Sequence, residues 1–534
     1  MRAYLLATTA AAALLAATSA QAQDATWLLN PGSRTFNTAT NWNPAVVPTN
    51  TAIFGASNTT LISFQPFTTT SIGTLQFNPD APAYFFATSD GLFTSISVTG
   101  AGIVDNSANA PTFIVGSQAN LSFRNASTAG DATIITNAGG ITIFADSATG
   151  GNARLIANAG GVFDISSLST GGMTAGSIEG GGTFQLGSKQ LTVGSNNLST
   201  TVSGVIADTG GGSLVKTGTG ILALSGTNTY TGTTTVDAGV LIVNGSIARS
   251  SLTTVNSGAV LLGSGTVGST VVNAGGFLVP GNSPGTMTVA GDLTIQRNAF
   301  YVVQVNPLTA SRTNVSGSAS LDGTVAAVFF PGIYLARSYT ILTADNRRTG
   351  RFEDLVTFGL PRNFRARLDY FNNSVDLNLR AQLIGDGGSV FQPITLPPTA
   401  GLPPIAGLPS IPEDPPGPAL PPFTSNQLGV GRAIDNFFNN GGTLPPTFVS
   451  LYGLSGSNLT TALDQLSGEA ATDAQKVAFQ LTDQFLNVML DPFVDGRSGV
   501  GGADHPALGF APERETMPPD IAHAAATAPP AISP

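Results

Sequence analysis

The sequence predicts an all-β fold, a right-handed parallel β-helix, on three observations. Residues 213–290 keep returning to one phrase: Val236-Asp-Ala-Gly239, Val255-Asn-Ser-Gly258 and Val272-Asn-Ala-Gly275 stand 19 and then 17 residues apart. Each copy runs into a short apolar stretch such as Val240-Leu-Ile-Val243. Short strands at a fixed period, punctuated by Gly and Asn, mark a solenoid whose rungs cannot bury a core singly. A rung of about 20 residues suits a β-helix, whereas a propeller blade needs about twice that. Composition is the third observation: 10% of residues are charged, against roughly 25% in an ordinary globular protein. The 64 glycines suit tight corners between stacked strands. A formal net charge of -10 argues against nucleic acid as a partner.

The chain opens with the pattern of a secretory signal, residues 1–22. Arg2 supplies the positive start, residues 3–17 an apolar run, and Ala20-Gln21-Ala22 a small-x-small site, so cleavage is expected between Ala22 and Gln23. The run is too interrupted, by Thr8, Thr9, Thr18 and Ser19, to serve as a membrane anchor. The sequence contains no cysteine, which excludes a disulfide framework in an exported chain.

Residues 23–90 read as an N-terminal capping module. It holds both tryptophans, Trp27 and Trp42, expected to plug the open end of the solenoid as a terminal repeat must. A sugar-stacking aromatic platform is the alternative for the pair. Residues 91–290 carry the β-helix repeats. Before the clear phrase they are looser, yet Thr136-Asn-Ala-Gly-Gly140 recurs as Ala157-Asn-Ala-Gly-Gly161, 21 residues on. In a strand at 141–144, Ile141 and Ile143 face one way, Thr142 and Phe144 the other. Rungs about 4.8 Å apart would align the inward residues into aliphatic and Phe ladders, and 30 Phe beside two Trp fit such a core. From about 275 the texture changes to longer, hairpin-like strands split by Asp322-Gly323, Pro331-Gly332 and Asn372-Asn373. Residues 291–380 are therefore expected to be a C-terminal β cap, autochaperone-like because a solenoid exported from one end needs a stable seed there.

Residues 381–424 form a linker with twelve prolines between Pro393 and Pro422, expected to be extended with a reach of about 90 Å at 3.1 Å per residue. Helical character first appears in 425–492. Short helices are expected at 427–438 and 459–466. A longer one is expected over 469–490, with Val477, Leu481, Phe485, Val488 and Met489 at helical spacing and Pro492 ending it. The Ala- and Pro-rich tail, 493–534, reads as disordered.

Several of these segments resemble the passenger of a bacterial autotransporter (type V secretion). The stretch LVKTGTGILALSGTNTYTGTTTVDAGVLIVNGS resembles the passenger-associated strand repeat. PGNSPGTMTVAGDLTI (280–295), RTNVSGSASLDGTV (312–325) and YTILTADNRRTGRFEDL (339–355) resemble the C-terminal passenger module. Residues 459–490 resemble the helical region that precedes the translocator barrel. The resemblance implies export, display at the cell surface or outer membrane, and action on a host-cell, matrix or sister-cell surface. It also implies outer-membrane assembly machinery as a partner if a barrel follows. Only 44 residues follow Leu490 and none alternate as barrel strands do. The expectation is thus a passenger whose translocator barrel is missing, to be found at the surface with a barrel and in the periplasm or medium without one.

No catalytic, cofactor or metal site is expected. Gly281-Asn-Ser-Pro-Gly285 fits the G-x-S-x-G pattern, but no helix follows it and the only histidines, His505 and His523, lie far off in the tail. It reads as a β-helix corner. Polysaccharide-cleaving β-helices are the natural enzyme alternative; acidic residues here are scattered, with Glu353-Asp354 one of few adjacent pairs. Calcium-binding G-G-x-G-x-D nonapeptides are absent. Arg347, Arg348 and Arg351, with Arg362, Arg365 and Arg367, make one basic cluster, read as a solvated hairpin edge. The expected function is a non-catalytic, contact-acting passenger, an adhesin or surface structural protein.

Overall fold

The computed structural model describes residues 22–88, 91–282, 284–332, 334, 337–361, 363–384, 423–468 and 480–484. The chain divides into two units, residues 1–467 and 468–534; of the second, Gly468 and a helical stretch at 480–484 are described. Most of the expected signal peptide, nearly all of the proline-rich linker, most of the expected helix at 469–490, and the tail with His505 and His523 lie outside the described residues.

Alternation of inward and outward residues builds the first unit. In strand Ile141–Phe144, Thr142 and Phe144 are fully buried while Ile141 is 40% exposed. Each short strand then finds its partners one turn before and one turn after. Ile141–Phe144 pairs in parallel with Ala119–Phe123 and with Val162–Asp164. The result is a parallel β-solenoid of about thirteen turns. Its strands assemble into sheets of ten, six, nine, eight and seven.

The recurring phrase is the stacked turn itself. Val236 pairs with Val255, and Val255 with Val272. Beside them Asn256 Nδ2 donates to Asp237 Oδ1 and Asn273 Nδ2 to Asn256 Oδ1, both at 2.7 Å. The 21-residue echo behaves alike, with Asn158 Nδ2 donating to Asn137 Oδ1 at 2.8 Å. Such ladders tie the side chains of successive corners together at the surface. The corner glycine is required: Gly239 has φ +67, and a Cβ there would stand 2.5 Å from the Gly218 carbonyl oxygen. Inside, the expected phenylalanine ladders are present, with ring centroids 4.6 Å apart for Phe86 and Phe113 and 5.0 Å for Phe123 and Phe144.

Strand pairing reaches both ends. Within residues 23–90, Ala25–Trp27 already pairs in parallel with Thr51–Phe54, and Trp42–Asn43 runs antiparallel at the terminal edge of the sheet. At the other end the parallel ladders pass through residue 290 without a change in pairing. Phe300–Val305 continues into Thr324–Phe329 and then Asp354–Phe358, all parallel. Asp322-Gly323 is a solenoid corner, with Gly323 at φ +70. Extended antiparallel pairing forms where Ser374–Ala381 inserts between Ser338–Ala344 and Phe364–Tyr370, around the expected Asn372-Asn373 turn. A hairpin there ends a ladder that would otherwise offer an open edge to other chains.

Two helices finish that end. Ser425–Asn439 starts with a capping box in which Thr424 and Gln427 satisfy each other's backbone N–H. Its Ile434 and Phe438 join Leu459 and Leu463 of Gly456–Ser467 in the main core. The Phe364 and Tyr452 rings meet at a tilt, with centroids 4.7 Å apart. Asn439 exchanges two hydrogen bonds with the backbone of Ala381 at 2.9 and 3.0 Å. The buried Asp435 carboxylate accepts from the Leu383 N–H and the Tyr452 hydroxyl, and burial raises its pKa. Residues 425–467, expected from the resemblance to precede a barrel, thus serve as the lid of the solenoid core.

Candidate functional site

Stacking turns in register aligns equivalent positions of successive rungs into columns, and one corner column of the ten-stranded sheet changes composition along its length. Thr68 pairs with Thr94, Thr94 with Ala119, and Asn120 with Ile141, followed by Val162. The residues just before these strands therefore stack as Phe67, Phe93, Gln118, Gly139 and Gly160. Backbone hydrogen bonds run along the column, from the Phe67 N–H to the Phe93 carbonyl at 2.7 Å and from the Gln118 N–H to the Gly139 carbonyl at 3.0 Å. Later rungs hold glycine at this position in a left-handed backbone, with φ +75 at Gly139 and +81 at Gly160, while Phe93 of the same column does not adopt it. Earlier rungs place Phe67 at φ +57 and Gln118 at +61 in that same conformation. A bulky residue there carries strain of order 1–3 kcal/mol. Burial does not offset it, because Phe67 is 73% exposed and its neighbour Phe93 66% exposed.

The adjoining outward column changes with it. Thr69, Ser95 and Asn120 stand in register, followed by Ile141 and Val162. Ser95 Oγ donates to Asn120 Oδ1 at 2.8 Å. Phe67, Thr68, Thr69, Phe93, Thr94, Ser95, Gln118 and Asn120 line a shallow groove of about 240 Å³. That is smaller than the 300–1,000 Å³ typical of an enclosing pocket, and suits contact with the side of an extended ligand. The lining holds hydroxyls, amides and two exposed aromatic faces, and no ionisable side chain.

Sequence reasoning missed this groove. Its signal was present: Phe67-Thr-Thr-Thr-Ser71 and Phe93-Thr-Ser-Ile-Ser97 share a pattern 26 residues apart. The tryptophans, by contrast, are core. Trp27 and Trp42 are each 2% exposed and meet edge to face at 4.9 Å. Their indole N–H groups donate to the Thr59 and Phe36 carbonyls at 3.0 and 2.8 Å. They offer no platform to a sugar.

The other sequence candidates do not converge on a site. In the G-x-S-x-G segment Ser283 lies outside the described residues, while Gly281 pairs with Gly263 and Asn282 Nδ2 donates to Asn244 Oδ1 at 3.0 Å. Glu353 forms an ion pair with Arg297 at 2.8 Å. Arg348 and Arg351 place their guanidinium groups 5.1 and 5.0 Å from the Tyr370 ring centre. Arg367 pairs with Asp369 at 3.0 Å, Arg347 and Arg365 are exposed, and Arg362 lies outside the described residues. At the expected processing point Ala22 and Gln23 are exposed, and the Gln23 carbonyl accepts from the N–H groups of Thr49 and Asn50, both at 3.0 Å. Among the described residues there is no group of three His, Cys, Asp or Glu placed to hold a metal ion. No described helix is long and apolar enough to cross a membrane.

Strands Ser213–Lys216, Ile221–Leu224, Thr234–Val236 and Val240–Val243 form two successive turns. Lys216 is buried between them, 1% exposed, its ammonium donating to the carbonyls of Thr217, Gly218 and Ala238 at 2.6, 3.0 and 3.2 Å. It satisfies three corner carbonyls from two turns, and burial lowers its pKa to about 8. The family described as passenger-associated-transport-repeat matches this segment, residues 214–243. This β-solenoid carries an autotransporter passenger repeat. The passenger repeat implies an exported protein. No curated protein matches the chain.

Proposed function

We propose that this chain is a surface-displayed autotransporter passenger that acts by contact, as an adhesin or surface structural protein, and without catalysis. The groove on the ten-stranded sheet carries the reading. It places two exposed phenylalanines beside a column of hydroxyl and amide groups, with no acid or base among its lining residues to activate those hydroxyls. The strain at Phe67 favours a working role for that side chain, since a corner glycine would serve the fold better. The partner is the surface of a host cell, the extracellular matrix or a sister cell. If a barrel follows, outer-membrane assembly machinery is a partner during export.

Cells expressing the protein should differ from cells lacking it in adhesion to surfaces or in aggregation with one another. Equal adhesion and equal aggregation of the two strains overturns the contact reading. Release of reducing ends from a polysaccharide by the purified chain overturns the non-catalytic one.

A further inference from the structure

We infer that the Phe67–Phe93 groove binds a neutral polysaccharide strand, an assignment that rests on the contact-acting reading and gives it a ligand class. Charge decides the first step. None of the eight lining side chains is ionisable, so the groove offers neither the Arg cluster that phosphate or uronate recognition needs nor the carboxylates that a basic peptide needs. Shape decides the second. A shallow groove does not offer the enclosed, desolvated pocket that anchors an aromatic or aliphatic hot-spot side chain of a protein partner.

What remains fits sugar chemistry. A pyranose presents a flat apolar C–H face bordered by hydroxyl groups. Phe67 and Phe93 expose their rings from consecutive turns, and an exposed aromatic face contributes large contact area at low conformational-entropy cost. Beside them Thr69 offers a hydroxyl and Gln118 a carboxamide, while Ser95, whose O–H donates to Asn120 Oδ1, offers lone pairs and Asn120 its amide N–H groups. Thr69, Ser95 and Asn120 follow one another over three turns, spaced at about 4.8 Å, so an extended ligand can meet polar groups over that length. Strain supplies the independent observation: two lining residues of the column, Phe67 and Gln118 on either side of Phe93, occupy the left-handed backbone that Gly139 and Gly160 occupy further along.

The test uses the full exported chain with amorphous cellulose and chitin as neutral probes and polygalacturonate as the anionic one. Wild type should be retained on at least one neutral polymer and not on polygalacturonate. Phe67→Gly should weaken that retention at least tenfold while leaving the thermal midpoint equal or higher, because glycine relieves the corner. Phe93→Ala should weaken it comparably. Retention on polygalacturonate alone, no retention on either neutral polymer, or equal retention of wild type and both variants overturns the proposal. If neutral binding fails while cell adhesion still depends on the protein, the ligand class falls and the contact reading stands. If both fail, both fall.

Discussion

Two stretches of outer surface, both built by stacking parallel strands, carry opposite chemistry. On the ten-stranded sheet, turns 68–77, 94–105 and 119–123 present Thr69, Ser71, Ser95 and Asn120 outward. On the eight-stranded sheet, turns 240–243, 260–263, 277–280 and 300–305 present Val240, Val260, Val279 and Val302 on the side away from the main core. There, with Leu262, Ala326 and Val328, they form a second hydrophobic cluster. Val260 and Val279 are fully buried in that cluster, and Phe277 stacks on Phe300 beside them at 4.8 Å. Solenoid architecture constrains only the inward residue of each pair. The outward residue is left free for a polar contact surface in one place and for a second apolar layer in another.

The largest expected effect breaks this contrast directly. Val260→Asp places a carboxylate in an apolar cluster without a partner and should cost on the order of 3 kcal/mol or more. Ser71→Asp, on the exposed polar surface, should change stability by less than about 0.5 kcal/mol. Thermal midpoints of the two variants measured side by side decide it; equal small shifts would mean that the second cluster contributes no burial worth protecting.

A middle-sized effect concerns Lys216, the buried cation of the passenger repeat. Replacing it with methionine leaves the carbonyls of Thr217, Gly218 and Ala238 without their donor, a loss of about 1–3 kcal/mol for buried acceptors. The pH dependence has a definite sign. Burial lowers the lysine pKa from 10.5 to about 8 in the folded chain. Between those values the unfolded chain holds the proton and the folded chain does not, so stability rises with pH across that window. The advantage of wild type over Lys216→Met should therefore grow from pH 8 to pH 10. An advantage that shrinks over that range would mean the ammonium is held charged.

Much of this architecture was legible in the chain. Repeats at Val236, Val255 and Val272 became stacked, paired residues because the spacing of a solenoid is the length of its turn. The phenylalanine ladders followed from strand alternation. The second cluster was harder, though runs such as Phe300–Val305 are apolar on both faces, the pattern of a strand buried twice. The helices at 425–439 and 456–467 were legible from their local pattern, but their packing on the solenoid was not, because its contacts, Phe364 with Tyr452 and Asn439 with Ala381, join residues dozens of positions apart. The groove escaped for a related reason. Its residues are unremarkable in sequence, and only register brings Phe67, Phe93 and Gln118 into one column with Gly139.

That column supports the smallest prediction, and the one that separates fold from function most cleanly. If Gln118 sits at φ +61 only because the corner demands it, glycine suits the site better, offset in part by its greater entropy loss on folding. Gln118→Gly should then leave stability unchanged or raise it by about 0.5 kcal/mol. The reverse exchange, Gly139→Gln, adds a Cβ 2.9 Å from Ser117 Oγ at φ +75 and should cost about 1 kcal/mol or more. Opposite signs for the two exchanges, read as thermal midpoints, would establish that the early rungs tolerate strain which the later rungs avoid. Equal signs would mean that the corner is indifferent to its residue, and the argument from strain at Phe67 would lose its footing.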